Sequence, residues 1–476
     1  MINKLLGYLS SRFIAAEPSQ RRRDPGTTIK TADGILIDAK RRRLIEGARD
    51  LQRNYATAAW AIRKHLDYVS TFTFQAATEN EEFNEELETL MGWWGRPLNF
   101  DVAARHGLRR FTRMLEARRV IDGDVFVVKM RDGRLQAIEG DRVRNPDVKD
   151  MLTSPWVHGV KLGPGGKLAS VAVHSRTPEG RYAFEREIRS GNVIQLGYFD
   201  AFDQIRGVSP LSSAIVDFQD VLEVHEYARA KAKVTQLFAL AITREMGDAD
   251  EDEESNGEYS VDFGRGPIKL EMDPGDKAEF LESKHPSTEF MSFMTVTLQA
   301  ALKSLDIPWS FYDEAYTNFF GSRAALIQYQ QSCRSKRDDL KEMLDRLTVW
   351  RLQLWIANGT LTLPAGMTLS DIYWDWIPAG VPWWNPEQEI NGDILAIDAG
   401  LRTRTEIRRE RYGDDWKDVI RKLRAEEEFM AEQGVVLKSA SAPADPVDQG
   451  DDPPNTAEED NQDGEPAPEE AQNEEQ

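Results

Sequence analysis

DIPWSFYDEAYTNFFGSRAALIQYQQS, Asp306 to Ser332, places six aromatic residues between Trp309 and Phe320, then passes through Gly321-Ser322 into a long helical pattern. Three readings of such a run are open: the lid of an active site, a plug of core, or a loop held against something that passes by. Pro308 followed by Trp309, Phe311 and Tyr312 suits a plug wedged between the flanking helices. The same run carries Asp313, Glu314, Thr317 and Asn318, whose polar groups a wholly buried loop would struggle to satisfy. Aromatic rings on a loop between helices also suit a subunit interface or a transient contact with a strand or duplex.

Working outward, HPSTEFMSFMTVTLQAALKSL from His285 puts Phe290, Met294, Leu298, Ala301 and Leu305 on one helical face. The residues after the run predict one helix from Ser322 to about Asn358, on the order of 50 Å long. Its apolar positions recur every seven, at Leu326, Cys333, Leu340, Leu347 and Leu354, with Tyr329, Met343 and Trp350 on a second seam. Lys336 interrupts the seam, so packing against several helices is expected rather than a two-stranded coiled coil. Upstream, a helical pattern from Ala39 carries Leu44, Ala48, Leu51, Tyr55, Ile62 and Leu66 in period, and further helices are predicted at Glu81–Trp94 and Asp101–Arg119. Then the period becomes two. GDVFVVKMRDGRLQAIEGDRV predicts two strands about Arg131-Asp132-Gly133, VHGVKLGPGGKLASVAVHS two more about a Gly-Pro-Gly-Gly turn, and NVIQLGYF another. Residues 120–200 thus form a β-rich unit set against helices, giving an α+β, mainly helical chain.

Ser209-Pro210 is a helix-start signal, and the pattern then stays helical to about Leu240. An acidic insertion follows, with DADEDEES at Asp248–Ser255 and short strands expected in YSVDF and PIKLEM. Past the long helix, IYWDWIPAGVPWWNPEQE leads to helices at Glu387–Ala399 and Thr405–Arg411 and in DDWKDVIRKLRAEEEFMAE. Ser439 to Gln476 holds 13 acidic residues and no basic one, a composition that cannot bury enough apolar surface to offset its ordering entropy. That tail carries most of the net charge of −21, so the charge does not exclude a nucleic-acid partner. Residues 1–38 read as an arm, partly disordered. Its start, MINKLLGYLSSRFIAAEP, reads as an amphipathic helix, because Ser10-Ser11-Arg12 interrupts what would be a signal peptide's apolar stretch. No apolar run is long enough to span a bilayer.

Little catalytic chemistry is legible. KLGPGGKLAS is not a phosphate loop: Leu168 follows Lys167 where a hydroxyl is needed, and the turn joins strands instead of opening a helix. The six histidines show no metal-site spacing, and a single cysteine, Cys333, excludes cysteine-rich zinc sites and an intrachain disulfide. No GxSxG motif occurs, and the acidic block lacks EF-hand spacing. No catalytic residue, metal or cofactor is assigned.

The order of elements is carried by ARDLQRNYATAAWAI, GDVFVV with QAIEGDRV, FDQIRGVSPLSSAI, LEMDPGDKAEFLESKHPSTEFMSFMTVTLQAALKSLDIPWSFY and NFFGSRAAL. From about Arg43 to Glu428 it resembles the phage portal proteins of the lambda-type family. The resemblance implies a non-enzymatic ring, usually of about twelve copies, at one capsid vertex of the virion, through which DNA enters and leaves. It implies a wing at 39–208, stem helices at 209–240 and 286–305, a clip at 241–285 and a tunnel loop at 306–321. A long helix returning to the wing at 322–386, a crown-like helical region at 387–436 and the acidic tail at 437–476 complete the portal fold. The candidate channel residues of the tunnel loop are Trp309, Phe311, Tyr312, Tyr316, Asn318, Phe319 and Phe320. The candidate channel-facing cations are Lys231, Lys233, Lys284 and Lys303. The implied partners are further copies of the chain, double-stranded DNA, the terminase large subunit, neck or adaptor proteins, and the major capsid and scaffolding proteins. No membrane is involved, and assembly is expected in the host bacterial cytoplasm. Each phosphate a bore neutralises adds salt-dependent affinity, so an acidic ring with scattered lysines suits DNA that must slide. The alternatives are another head–tail connector, and a magnesium-dependent nucleic-acid-processing enzyme built on Asp248–Glu254.

Overall fold

The structure, a computed structural model, describes residues 29–146, 155–237, 240–244, 276–280, 288–313, 319–381 and 385–435. The chain divides into two compact units, Met1–Lys417 and Asp418–Gln476.

The first unit begins with a single turn, α1 (Ala32–Ile35), followed by α2 (Asp38–Asn54) and α3 (Ala56–Val69). Where the periodicity reads as one helix, the chain breaks at Tyr55, whose backbone is extended. Both halves can then turn apolar faces into one core, with Ala48 and Leu51 from α2 and Ile62, Leu66 and Val69 from α3. After β1 (Phe72–Ala76), α4 (Glu81–Trp94) starts at Asn80, whose side chain accepts the Phe83 amide at 3.0 Å. The short α5 (Pro97–Phe100) precedes α6 (Leu108–Asp122). The latter helix starts later than its periodicity suggested, because the Asp101 carboxylate accepts the amides of Ala103 and Arg105 and holds a turn there.

The β-rich unit comprises β2 (Asp124–Lys129), β3 (Leu135–Glu139), β4 (Trp156–Val157), β5 (Val160–Leu162), β6 (Leu168–Arg176), β7 (Tyr182–Arg189) and β8 (Val193–Gly197). β3-β2-β8 is one antiparallel sheet and β4-β5-β6-β7 another. The period of two is visible in β2: Val125 and Val127 enter the helical core, while Phe126 and Val128 enter a second core with Ile138, Val171 and Val173. Strand β7 escaped the sequence reading; its Glu and Arg residues sit on an edge strand that β6 alone pairs.

A turn at Pro210–Ser213, capped by Ser209, leads into α7 (Ile215–Leu237). β9 (Leu240–Arg244) then pairs with β10 (Asp276–Phe280). The strands expected in YSVDF and PIKLEM lie outside the described residues, as do the first 28 residues and everything after Val435. α8 (Thr288–Leu302) packs beside α7. α9 (Phe319–Ala357), 39 residues long, starts three residues before the expected Ser322. Leu326, Cys333, Leu340 and Leu347 are buried, but at the next repeat Trp355 takes the place expected for Leu354. A straight helix drifts about 20° per heptad, enough to hand the seam to the next residue. β11 (Trp374–Pro378) pairs with β1, far away in sequence, with Phe74 opposite Trp376. Then come α10 (Pro386–Asp398) and α11 (Arg404–Tyr412), the latter opened by a Thr403/Glu406 capping box.

Most of α12 (Trp416–Glu432) belongs to the second unit. It is laced by Arg421–Asp418 at 3.2 Å and Arg424–Glu428 at 2.9 Å. Among the described residues no helix is long and apolar enough to cross a membrane.

Candidate nucleic-acid interface

α8 ends in a tight turn, Lys303–Leu305, and the chain reverses at Asp306, which adopts the left-handed conformation at φ 61°. A residue with a β-carbon is strained there unless its surroundings hold it. Asp306 is held: its Oδ2 accepts from Ser332 Oγ at 2.6 Å and from Lys336 Nζ at 2.8 Å, both on α9. Burial raises the Asp306 carboxyl, but Lys336 and Ser332 together bring it below its ordinary value. The lysine that interrupts the heptad seam is therefore the one that fastens the start of the aromatic run to α9.

Pro308 then opens a turn, Trp309–Phe311, that lies on the helical core. The Phe311 ring stands 5.3 Å from Tyr329 and 5.8 Å from Tyr68, and Tyr312 meets Trp60 edge-on at 5.7 Å. Trp309 and Phe311 are half-buried, whereas Tyr312 is 44% exposed. These three residues form the plug half of the run. Tyr316 and Asn318 lie outside the described residues, and Phe319 and Phe320 are the first two residues of α9. Of the candidate cations, Lys231 and Lys233 are exposed on α7, Lys303 is exposed at the turn, and Lys284 lies outside the described residues.

Behind the turn is a buried polar network that the sequence reading missed. Arg119 Nη2 donates to the Lys336 carbonyl at 3.0 Å, its Nη1 to Asp339 at 2.7 Å, and its Nε to Glu116 at 2.7 Å. The other Glu116 oxygen takes Tyr198 Oη at 3.0 Å and His65 Nε2 at 2.7 Å. Burial pushes His65 toward its neutral form, so Nε2–H is the donor. Burial pushes Glu116 up, but Arg119 and His65 outweigh it and hold the carboxyl at about 2. The available signal was a Glu–Arg pair at i, i+3 on the apolar face of α6, beside Leu115.

A second network explains IRGVSP. Asp124, wholly buried, receives Arg206 through Nε at 2.6 Å and Nη2 at 2.8 Å, Arg41 at 3.1 Å and the Gly207 amide at 3.0 Å. Gly207 and Gly123 touch backbone to backbone, since a β-carbon on Gly207 would stand 2.2 Å from the Gly123 oxygen. Ser209 Oγ donates to the Val120 carbonyl at 2.6 Å while capping Leu211. This joint sets where the chain leaves the sheets for α7.

Among the described residues one carboxylate cluster has the geometry for a cation. Asp122, Glu139 and Asp141 bring oxygens within 4.8 Å of one another. Two guanidinium groups already occupy it. Arg49 reaches all three residues at 2.6, 3.1 and 2.7 Å, and Arg176 reaches Glu139 and Asp141 at 2.6 and 2.7 Å. The cluster is a clasp between α2, α6, β6 and the turn after β3. Asp248–Glu254 lies outside the described residues.

A family profile described as "Phage portal protein, lambda family" matches residues 21–337. No curated protein matches the chain. Among solved structures it is similar to one titled "Neck of empty GTA particle computed with C6 symmetry", at 14% identity over 76% of this chain and 92% of that one, with a TM-score of 0.45. It is also similar to the virion of a native gene transfer agent particle, at 13% identity, the same coverages and a TM-score of 0.43. The neck of a native GTA particle computed with C12 symmetry gives 13% identity, again 76% and 92% coverage, and a TM-score of 0.42.

Proposed function

The chain belongs to the lambda family of phage portal proteins, and on that premise we propose that its copies close into a ring that conducts double-stranded DNA during packaging and ejection. It is a structural component of the virion at the portal vertex and not an enzyme.

The observation that carries the ring is α8. From Phe290 to Leu302 it has no charged residue, and Thr295 and Thr297 turn their hydroxyls back onto the carbonyls of Met291 and Phe293 at 2.9 and 3.0 Å. Met291, Phe293 and Val296 are nevertheless 53%, 57% and 64% exposed. Its uncharged polar residues Ser292, Thr295 and Gln299 share one side, and the apolar Met291, Phe293 and Val296 left exposed around them need a cover. A neighbouring copy supplies it, and covering each of these side chains contributes about 1 kcal/mol. In this reading α7 and α8 are the stem, 241–285 is the clip and 306–321 the tunnel loop. Trp309, Phe311 and Tyr312 anchor that loop, leaving Tyr316, Asn318, Phe319 and Phe320 as its residues for DNA contact. Residues 322–386 return to the wing, 387–436 form the crown-like region, and terminase, neck, capsid and scaffolding proteins dock on the ring.

Mass photometry with negative-stain imaging tests this. The purified protein is expected at a large multiple of its 54.1 kDa monomer mass, about twelve copies, with an axial hole. The Phe293→Asp/Val296→Asp variant is expected to be monomeric with an unchanged circular dichroism spectrum. A wild-type protein that stays monomeric refutes the ring, and rings untouched by the double variant refute α8 as its seam.

A further inference from the structure

Helix α6 starts with the wrong charge. A helix N-terminus favours acidic residues, yet its N-cap is Gly107, without a side-chain cap, and no acid occupies its first turn. Arg109 and Arg110 stand there instead. Together with Arg96 and Arg105 they line one open pocket of about 670 Å³. All four are exposed, and none has an acidic partner among the described residues. Elsewhere on the surface Arg113, Arg176 and Arg408 each hold a carboxylate at 2.5 to 2.7 Å. The pocket does contain one carboxylate, Glu88, but its Oε1 accepts the Ala76 amide at 2.9 Å.

The rest of the pocket is not what a bare polyanion needs. Its floor includes Phe74, Met91 and Leu108. Beside its lining residues Gly92 and Pro97 stand Trp93 and Leu98, 46% and 73% exposed. Phosphates of a duplex would satisfy the arginines and leave this apolar surface in water. A peptide that carries carboxylates around a large apolar side chain uses both parts. Arginine and tryptophan are also the side chains that dominate protein–protein hot spots, and arginine clusters recur as readers of acidic motifs.

We propose that this pocket docks an acidic peptide segment of another protein. Its carboxylates pair with Arg96, Arg105, Arg109 and Arg110, and its apolar side chain sits on Phe74, Met91 and Leu108. The proposal needs no ring, so it survives or fails independently of oligomeric state.

Fluorescence anisotropy with the full-length protein tests it, using three labelled probes at low salt. The probes are a synthetic Asp/Glu peptide containing one Phe and one Leu, the same peptide with both changed to Ala, and a short DNA duplex. The anchored peptide is expected to bind saturably. Arg109→Gln/Arg110→Gln should weaken it about tenfold or more, and the Ala peptide should bind the wild type about tenfold less tightly. Both arginines are exposed, and an unchanged melting curve confirms that the variant folds. Three results overturn the proposal: no saturable binding of the anchored peptide, binding indifferent to the arginine changes, or equal affinity for the Ala peptide. Tighter, arginine-dependent binding of the duplex also overturns it and makes the pocket a nucleic-acid site.

Discussion

Glu116→Gln removes the charge at the centre of the network behind the aromatic run while keeping the side chain's shape. Glu116 is wholly buried and bonded to His65, Arg119 and Tyr198. Its carboxyl is lowered from 4.5 to about 2, and at about 1.4 kcal/mol per pH unit the ionised form adds about 3 kcal/mol to the folded state. The sign follows from the direction of the shift. A group whose folded value is depressed contributes fully above its unfolded value of 4.5 and loses that contribution as the pH falls toward about 2. The variant should therefore be about 3 kcal/mol less stable than the wild type at neutral pH, and the two should converge as the pH approaches 2. Urea unfolding followed by tryptophan fluorescence across that pH range measures the gap. Acid titration of Asp124 and Asp141 is common to both proteins and cancels in the difference. A gap that stays constant down to pH 2 would show that the loss is one of packing, and no gap at neutral pH would show that the network adds no net stability. Either result refutes the electrostatic account.

Gly207→Ala should cost about 3 kcal/mol or leave the protein insoluble, because the new β-carbon meets the Gly123 backbone at 2.2 Å. Gly92→Ala, inside α4 with nothing within 4 Å of the new atom, should instead raise stability by about 0.5–1 kcal/mol, and melting curves read both. At the reversal before the aromatic run, Asp306→Gly should cost up to about 1 kcal/mol, the worth of a half-exposed pair with Lys336. Asp306→Ala should be about 1 kcal/mol worse than Asp306→Gly, since alanine loses the clamp and keeps the strain of φ 61°. Equal melting temperatures for the two variants would remove backbone strain from the explanation.

The period of two in GDVFVV and the Asp-Gly turn after it gave β2 and β3, and Ser209-Pro210 marked the approach to α7. The seven-residue repeat gave the long helix and its buried seam as far as Leu347. The misses have physical causes. Tyr55 keeps the helical period of its neighbours, so nothing in the pattern shows that two helices must part there to share a core. Strand β7 carries Glu and Arg in alternation over Glu185–Glu187 and buries only Ile188, so it looks like an exposed segment until β6 pairs with it. Within the aromatic run, the order of residue types indicated that part is plug. Which rings do that work depended on Tyr68, Trp60 and Tyr329, which the run meets only in space.

The sequence by itself determined most long helices, about half of the described strands and the family, because hydrophobic period, capping and turn chemistry act between near neighbours. Tertiary structure alone decided that β1 pairs with β11, that His65, Glu116, Arg119, Tyr198 and Asp339 converge, and that four arginines share one pocket. Closing a longer loop costs only slightly more entropy than closing a shorter one. A distant partner is therefore nearly as accessible as a close one, and no local pattern marks which it will be.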